Sequence, residues 1–438
     1  MSIPQTNPQQ DPSLADLLAA RPALKMHAQL GLCFDGIPLN AIADAFGTPT
    51  WVYGAATFRA RYAALKSAFA EAGLHPEIHY AVKANDHLAI LSLLREQGAG
   101  ADVVSRGEFL RALKAGIDPK HIVFSGVGKT ADDLRTALEQ NIGQINVESP
   151  AELFQLSAVA AEMGKRVRIV VRMNPDVDAG THAKITTGRA DNKFGIAASE
   201  IPALYVHAAT LPGINPVGLA LHIGSQILTP APFAAAYAKA AALIKDLRAA
   251  GQTVTTLDLG GGLGIGYRDE PGMNLSAFAY MVRRETAHLG VTLLLEPGRY
   301  LAGPAGLLLT SVILEKTAGQ KRFCVLDAAM NDLIRPAMYD SYHAILPVSP
   351  IDFLAEPTET DIVGPVCETG DTFATNRALP PLKPGARLAI LDAGAYGAVM
   401  SSTYNARPRA AAVLIDGAPK LINPRQTIED LWSTEIVP

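Results

Sequence analysis

The sequence predicts an α/β protein, a (β/α)8 barrel followed by a second, all-β domain. Three observations point there. Eight short β-rich runs alternate with segments of helical spacing between Ile78 and Leu295. Reactive polar residues recur at or just past the C-terminal ends of those runs, where a barrel collects them on one face. After Tyr300 the helical period fades, and β-rich runs separated by Pro/Gly turns take over.

In chain order, residues 1–19 read as a polar tail, and Met1 to Asp11, with two prolines and no basic charge, does not resemble a secretory signal. Gly31 to Pro38 reads as extended and is expected to join the β-rich domain, which is assigned residues 20–45 and 301–438. The barrel is assigned residues 46–300. Its expected strands are Ile78–Val82, Ala101–Val104, His121–Phe124, Gln144–Val147, Val167–Met173, Val217–His222, Val254–Leu259 and Val291–Leu295. The helical segments are Leu88–Gln97, Gly107–Ala115, Ala131–Gln140, Ala151–Met163, Ile201–Ala209, Pro232–Ala250 and Leu275–His288. Lys83, Ser105, Ser125, Glu148, Arg172, His222, Gly260–Gly262 and Glu296 fall at the strand ends. The connection Asn174 to Gly195 is long for a barrel loop and is read as a lid over the site. In the last domain the expected strands are Leu307–Leu314, Arg322–Leu326, Asp361–Val366, Arg387–Leu391 and Ala411–Ile415.

The bulk composition narrows the function. Of 438 residues, 49% are hydrophobic and 18% charged, which suits a folded enzyme and argues against disorder. A net charge of -4 provides no broad basic face for nucleic acid. No apolar run reaches about 18 residues, the length a membrane span needs. Phe233 to Leu247 comes nearest, but Lys239, Lys245 and Asp246 interrupt it. Three cysteines, Cys33, Cys324 and Cys367, lie far apart, with no disulfide framework, as expected of a reducing cytoplasm. No metal site is expected: His75 and His79 have helical spacing, but Pro76 and the following strand argue against a helix there.

The candidate chemistry sits in short motifs. Lys83, in Tyr80-Ala81-Val82-Lys83-Ala84-Asn85, is a lone cation at the end of an apolar run. Burial would favour its neutral amine, the form that makes a Schiff base with an aldehyde; the alternative is a lysine reaching out to solvent. Gly260-Gly261-Gly262 follows a strand and lets backbone N–H groups approach a phosphate, or is a plain tight turn. Its spacing does not fit GxGxxG, which disfavours a dinucleotide. Ser125-Gly126-Val127-Gly128-Lys129-Thr130 ends like a P-loop, but Val123 stands where the first glycine is required. Glu296, in Glu296-Pro297-Gly298-Arg299, is placed to keep a pyridine nitrogen protonated, or to form an exposed ion pair. His222, alone, reads as structural. Cys367-Glu368 offers a proton donor and an ammonium anchor, against a buried inert cysteine. Arg335 and Tyr339 form a carboxylate clamp, or Arg335 is a surface arginine beside a turn. Together, the Lys83, Gly260–Gly262 and Glu296 segments favour a lysine that carries pyridoxal phosphate.

As a set these segments resemble the fold-type III pyridoxal-phosphate-dependent decarboxylases, and within them the diaminopimelate decarboxylases. The likeness runs through Thr181-His182 to Lys193-Phe194-Gly195, Leu221-His222-Ile223-Gly224-Ser225-Gln226 and Leu257-Asp258-Leu259-Gly260-Gly261-Gly262. It extends to Tyr404-Asn405-Ala406-Arg407-Pro408-Arg409 and covers about residues 30 to 430. The resemblance implies a barrel of the alanine-racemase type and pyridoxal 5'-phosphate as cofactor. It implies that Lys83 carries the coenzyme, His222 stacks on its ring and Glu296 pairs with its nitrogen. Gly261, Gly262, Gly298, Arg299 and Tyr396 would hold the phosphate, and Ser225 would also bind the coenzyme. Arg299, Arg335 and Tyr339 would bind the retained carboxylate and Glu368 the distal ammonium, Tyr396 would also contact substrate, and Cys367 would reprotonate the α-carbon. A homodimer is implied, with Cys367 and Glu368 donated across its interface.

The reaction implied is decarboxylation of meso-2,6-diaminopimelate to L-lysine and CO2. Rivals are ornithine, arginine or carboxynorspermidine decarboxylases of the same fold, and a non-catalytic pyridoxal-phosphate-binding regulator. Arg335 with Tyr339 argues against monocarboxylate substrates, and Glu296 against an alanine racemase, where an arginine meets the ring nitrogen. Departures from the family pattern are Arg106 after Val103-Val104-Ser105, and Ala410 and Ala412 after Arg407-Pro408-Arg409.

Overall fold

The structure, a computed structural model, describes residues 11–178 and 192–438. Most of the expected lid, with Thr181 and His182, lies outside the described residues. The chain forms two compact units. One comprises Arg59–Ile265 with Gly272–Leu301; the other comprises the chain up to Phe58, Gly266–Pro271 and Ala302–Pro438.

The first unit is a closed parallel barrel. Its eight strands are Glu77–Ala81, Gly100–Val103, Ile122–Phe124, Gln144–Val147, Val167–Asn174, Ile214–Ala220, Thr256–Asp258 and Thr292–Leu295. Each pairs with the next, and the last pairs with the first through Leu295 and Ile78. Parallel neighbours need a crossover, and helices supply most of these, as the alternating pattern requires. Their starts are written in capping residues: Ser105, Thr130 and Ser149 each accept a backbone N–H from the first helical turn. Ser105, expected at the reactive face, therefore caps Arg106–Lys114 by accepting from Glu108 N at 3.2 Å. The sixth strand begins before Val217 because a register shift between Pro216 and Gly218 carries the ladder past the proline.

The second unit holds a nine-stranded sheet. Its main path runs Thr372–Leu379, Thr358–Val363, Lys321–Leu326, Gly306–Ala318, Thr50–Gly54, Ala411–Asp416, Ala418–Asn423. Arg387–Ile390 pairs with Gly306–Ala318 and with Ile345–Pro347. Thr50–Gly54 is buried at every position, because it lies between Gly306–Ala318 and Ala411–Asp416 and is covered on both faces. The extended segment after residue 30 belongs to this unit, but not to its nine-stranded sheet. Gly31–Phe34 lies in a separate three-stranded sheet with Leu24–His27 and Ile37–Pro38, and Leu32 N donates to Val348 O at 2.8 Å. The core here includes Leu32, Phe34, Ile42, Val52, Leu307, Leu309 and Val413. No helix among the described residues is long and apolar enough to cross a membrane.

Candidate active site

Lys83 lies in a 3-10 turn, Val82–Ala84, directly after the first barrel strand. The sequence alone reads it as a lone cation. The structure corrects this: Lys83 Nζ donates to Asp102 Oδ2 at 2.6 Å. Parallel register explains the meeting, since Ala81 stands opposite Asp102 on the neighbouring strand. The Asp102 side chain is fully buried, whereas that of Lys83 remains 34% exposed. Pairing and partial exposure, rather than apolar burial, therefore define the lysine's setting. A carboxylate at this distance can hold the amine's proton or take it.

Glu296 follows the last barrel strand and is buried. Asn146 Nδ2 faces three acceptors at once: Ser125 Oγ at 3.0 Å, Asp258 Oδ2 at 3.2 Å and Glu296 Oε1 at 3.4 Å. Burial, then the carboxylates of Asp102 and Asp258, push the Glu296 carboxyl well above the ordinary range. Burial raises Asp258 as well. Two carboxyls in one desolvated pocket cannot both ionise cheaply, and a cation placed against them relieves the conflict. The exposed ion pair considered for Glu296 is thereby excluded.

The glycine turn closes tightly behind this group. A Cβ on Gly261 would lie 2.2 Å from Glu296 O, and one on Gly262 would lie 2.5 Å from Gly224 O. Gly260 and Gly262 also have φ of +68° and +105°, a region that side chains strain to occupy. Gly261 N donates to His222 Nδ1 at 3.2 Å, so that nitrogen carries the lone pair. Burial, followed by the Arg172 and Lys83 cations, holds the His222 imidazole well below the usual histidine range. It is neutral at physiological pH. Ser225 Oγ accepts from Arg299 Nη2 at 3.1 Å, and Arg299 is buried at the start of a short helix next to Gly298.

A second ion pair lies on the same barrel face. Arg172 Nη1 donates to Glu148 Oε1 at 2.8 Å, and Gly126 N reaches the same oxygen at 2.7 Å. Lys129 of the P-loop-like segment is spoken for internally. Its Nζ bonds Glu152 Oε1 and Gly126 O, each at 2.6 Å, and Asn146 O at 2.9 Å. It anchors a turn and presents no charge to a phosphate.

The second unit carries the remaining candidates. Cys367 is exposed, so the buried inert thiol is excluded. Its backbone N donates to Asn405 Oδ1 at 3.0 Å, and Glu368 beside it is exposed as well. A hydrogen bond to Glu368 raises the Tyr404 phenol. Arg335 is no surface arginine: it is 5% exposed, at the start of the helix Arg335–Tyr339, with Tyr339 one turn on. Tyr396 takes the left-handed region at φ +55°, a strained placement for a tyrosine.

The barrel residues fit a bound pyridoxal phosphate. Asp102 Oδ1 and Glu148 Oε2 are buried with no hydrogen-bond partner, a state costing about 1–3 kcal/mol each unless a donor meets them. The glycine turn would be filled by any Cβ, and a cation such as a protonated ring nitrogen would favour the ionised form of the Glu296 carboxyl.

Comparison with known proteins agrees. Residues 55–303 match the family model for the pyridoxal binding domain of pyridoxal-dependent decarboxylases. A diaminopimelate decarboxylase of Zymomonas mobilis is 48% identical over 92% of this chain and 96% of its own. The chain belongs to the diaminopimelate decarboxylase family. Its cofactor is pyridoxal 5'-phosphate. The diaminopimelate decarboxylase of Helicobacter pylori complexed with L-lysine superposes with a TM-score of 0.87 at 40% identity, covering 91% of this chain and 99% of that one. That of M. jannaschii in co-complex with L-lysine gives 0.90 at 35% identity, covering 96% and 99%.

Sequence reading missed Asp102, Asn146 and Asp258. Each is a polar side chain within a fully buried barrel strand, and a carboxylate or amide set among apolar strand residues was the available signal.

Proposed function

We propose that this carboxy-lyase decarboxylates meso-2,6-diaminopimelate to L-lysine and CO2. The observation that carries the reading is the 48% identity to the Zymomonas mobilis enzyme across 92% of the chain, which spans both units. No observation favours the ornithine, arginine or carboxynorspermidine alternatives, or a non-catalytic regulator. Pyridoxal phosphate, when bound, supplies a ring that accepts the electron pair left as the carboxylate departs.

The roles assigned to this chain's residues are our reading. Lys83 Nζ would hold the coenzyme, with Asp102 holding or accepting its proton. Glu296, with Asp258 near it, would pair with the ring nitrogen, and His222, held neutral, would pack on the ring. Gly261, Gly262, Gly298, Arg299 and Tyr396 would hold the phosphate, with Ser225 beside them. Arg299, Arg335 and Tyr339 grip the carboxylate that stays, a pairing suited to the planar guanidinium fork. Glu368 binds the distal ammonium, and Tyr396 contacts the substrate. Cys367 Sγ donates a proton to the α-carbon, for which its exposure suits it. Cys367 and Glu368 reach the site from the partner subunit of a homodimer, and the enzyme works in the cytoplasm, where the free thiols of its cysteines persist.

The test is lysine release from meso-diaminopimelate by the purified protein with added coenzyme, run beside Lys83→Ala. Lysine from the parent and none from the variant is expected. No lysine from a parent that still binds the coenzyme through Lys83 would refute the substrate and leave the cofactor reading standing.

A further inference from the structure

Arg335 is held from several directions within its own unit. Its Nη1 lies 3.0 Å from His343 Nε2, and its Nη2 donates to Ser341 Oγ at 3.3 Å. His343 is only 1% exposed, and its Nδ1 is 2.7 Å from Leu391 O. A carbonyl oxygen can only accept, so Nδ1 carries the hydrogen. Nε2 of the neutral ring then keeps its lone pair toward the guanidinium, which can only donate. Hydrogen bonding on both sides thus fixes one tautomer and one ring orientation.

Tyr267 completes the support. Its ring meets that of His343 edge to face, with centroids 5.4 Å apart, and lies 5.0 Å from the Arg335 guanidinium carbon. Tyr267 is itself tied down: Arg21 Nη2 donates to its carbonyl at 2.8 Å, while Arg21 Nε donates to Asp392 at 2.8 Å. A guanidinium held this way has surrendered its rotamer freedom before any carboxylate arrives, which favours binding.

We propose that His343, backed by Tyr267, is the positioning residue that aims Arg335 at the second carboxylate of the substrate, and so helps select dicarboxylic diamines. This rests on the reading that Arg335 binds that carboxylate. Ligands lacking the group should be indifferent to His343.

The experiment uses the coenzyme-loaded enzyme and its variants His343→Leu, His343→Gln, Tyr267→Leu and Arg335→Ala. It measures KM and kcat for meso-diaminopimelate, and inhibition by L-lysine, which keeps one carboxylate, and by cadaverine, which has none. In His343→Leu, loss of one charge-assisted hydrogen bond should weaken L-lysine inhibition and raise KM about tenfold. Cadaverine inhibition should change less than about twofold, well below the tenfold step of a lost contact, and kcat should fall by a smaller factor than KM rises. His343→Gln, able to accept from Arg335 and donate to Leu391 O, should recover most of the loss. If His343→Leu does not fold, His343→Gln and Tyr267→Leu carry the test, the latter with the same lysine-selective loss. Equal weakening of both inhibitors, a fall in kcat without a rise in KM, or a Gln variant no better than Leu would overturn the inference. Arg335→Ala separates the two claims. Loss of lysine selectivity there but not in the supporting variants refutes His343 alone; no loss there refutes the carboxylate reading itself.

Discussion

Replacing Gly261 with alanine should damage coenzyme binding by steric means alone. The added Cβ would sit 2.2 Å from Glu296 O and 3.1 Å from the carbonyl carbon, whereas ordinary contact begins at 3.4 Å. The turn and the end of the last barrel strand must therefore part by more than an ångström. Both are anchored: Gly261 N donates to His222, and Glu296 N donates to Gly260 O at 2.8 Å. Overfilling a fitted site costs about 1–3 kcal/mol. At about 1.4 kcal/mol per decade, that corresponds to roughly a 5–140-fold loss of coenzyme affinity. Titration of the coenzyme-free protein with pyridoxal phosphate, followed by absorbance, reads this directly. Gly128→Ala is the control, because nothing lies within 4 Å of the place its methyl group would take, and its affinity should stay within about twofold, as for an unobstructed surface change. Unaltered binding by Gly261→Ala, or equal loss in Gly128→Ala, would refute the argument.

Three further outcomes follow from the geometry. Lys129→Met leaves the Glu152 carboxylate buried without its cation; this should cost about 3–5 kcal/mol in denaturant unfolding, and the double variant Lys129→Met/Glu152→Met should cost clearly less than the sum of its single changes. Burial pushes Glu108 up to about 7, against an ordinary 4.5. Between those values the folded chain keeps a proton that the unfolded chain has shed, so stability falls as pH rises through this window and levels off above it. Glu108→Gln should flatten that slope in unfolding curves taken across the window, and an unchanged slope would remove Glu108 as its source. Cys367→Ala should lower kcat by about 10²-fold or more, the usual worth of a positioned proton donor; steady-state kinetics with meso-diaminopimelate would detect an unaltered kcat and so discard the role.

Much of the fold was legible because the physics is local. Buried parallel strands are short apolar runs, and turn and capping residues mark their limits, so all eight barrel strands lie within a few residues of their expected places. Thr50–Gly54 was not anticipated. Its apolar stretch lacks alternation, and its partners, Gly306–Ala318 and Ala411–Asp416, lie far along the chain. The helix Ala55–Glu71 was also missed, although Phe58, Tyr62, Leu65 and Phe69 repeat at helical spacing and are buried. Within the site, residue types at strand ends were visible but their partners were not. The pairing of Lys83 with Asp102, and the grouping of Glu296 with Asn146 and Asp258, depend on which strands adjoin and in what register. Helical or strand periodicity contains neither piece of information.

The closure of the barrel has a consequence for biosynthesis. The strand that carries Lys83 is made early and finds one neighbour in Gly100–Val103, but its other neighbour, Thr292–Leu295, is synthesised more than two hundred residues later. Until that last strand docks, Lys83 and Asp102 have no Glu296 beside them, and the glycine turn has no wall to press against. A nascent chain should therefore be unable to hold pyridoxal phosphate tightly before residue 299 has left the ribosome. With the site proposed above, coenzyme capture would act as a timestamp on ring completion.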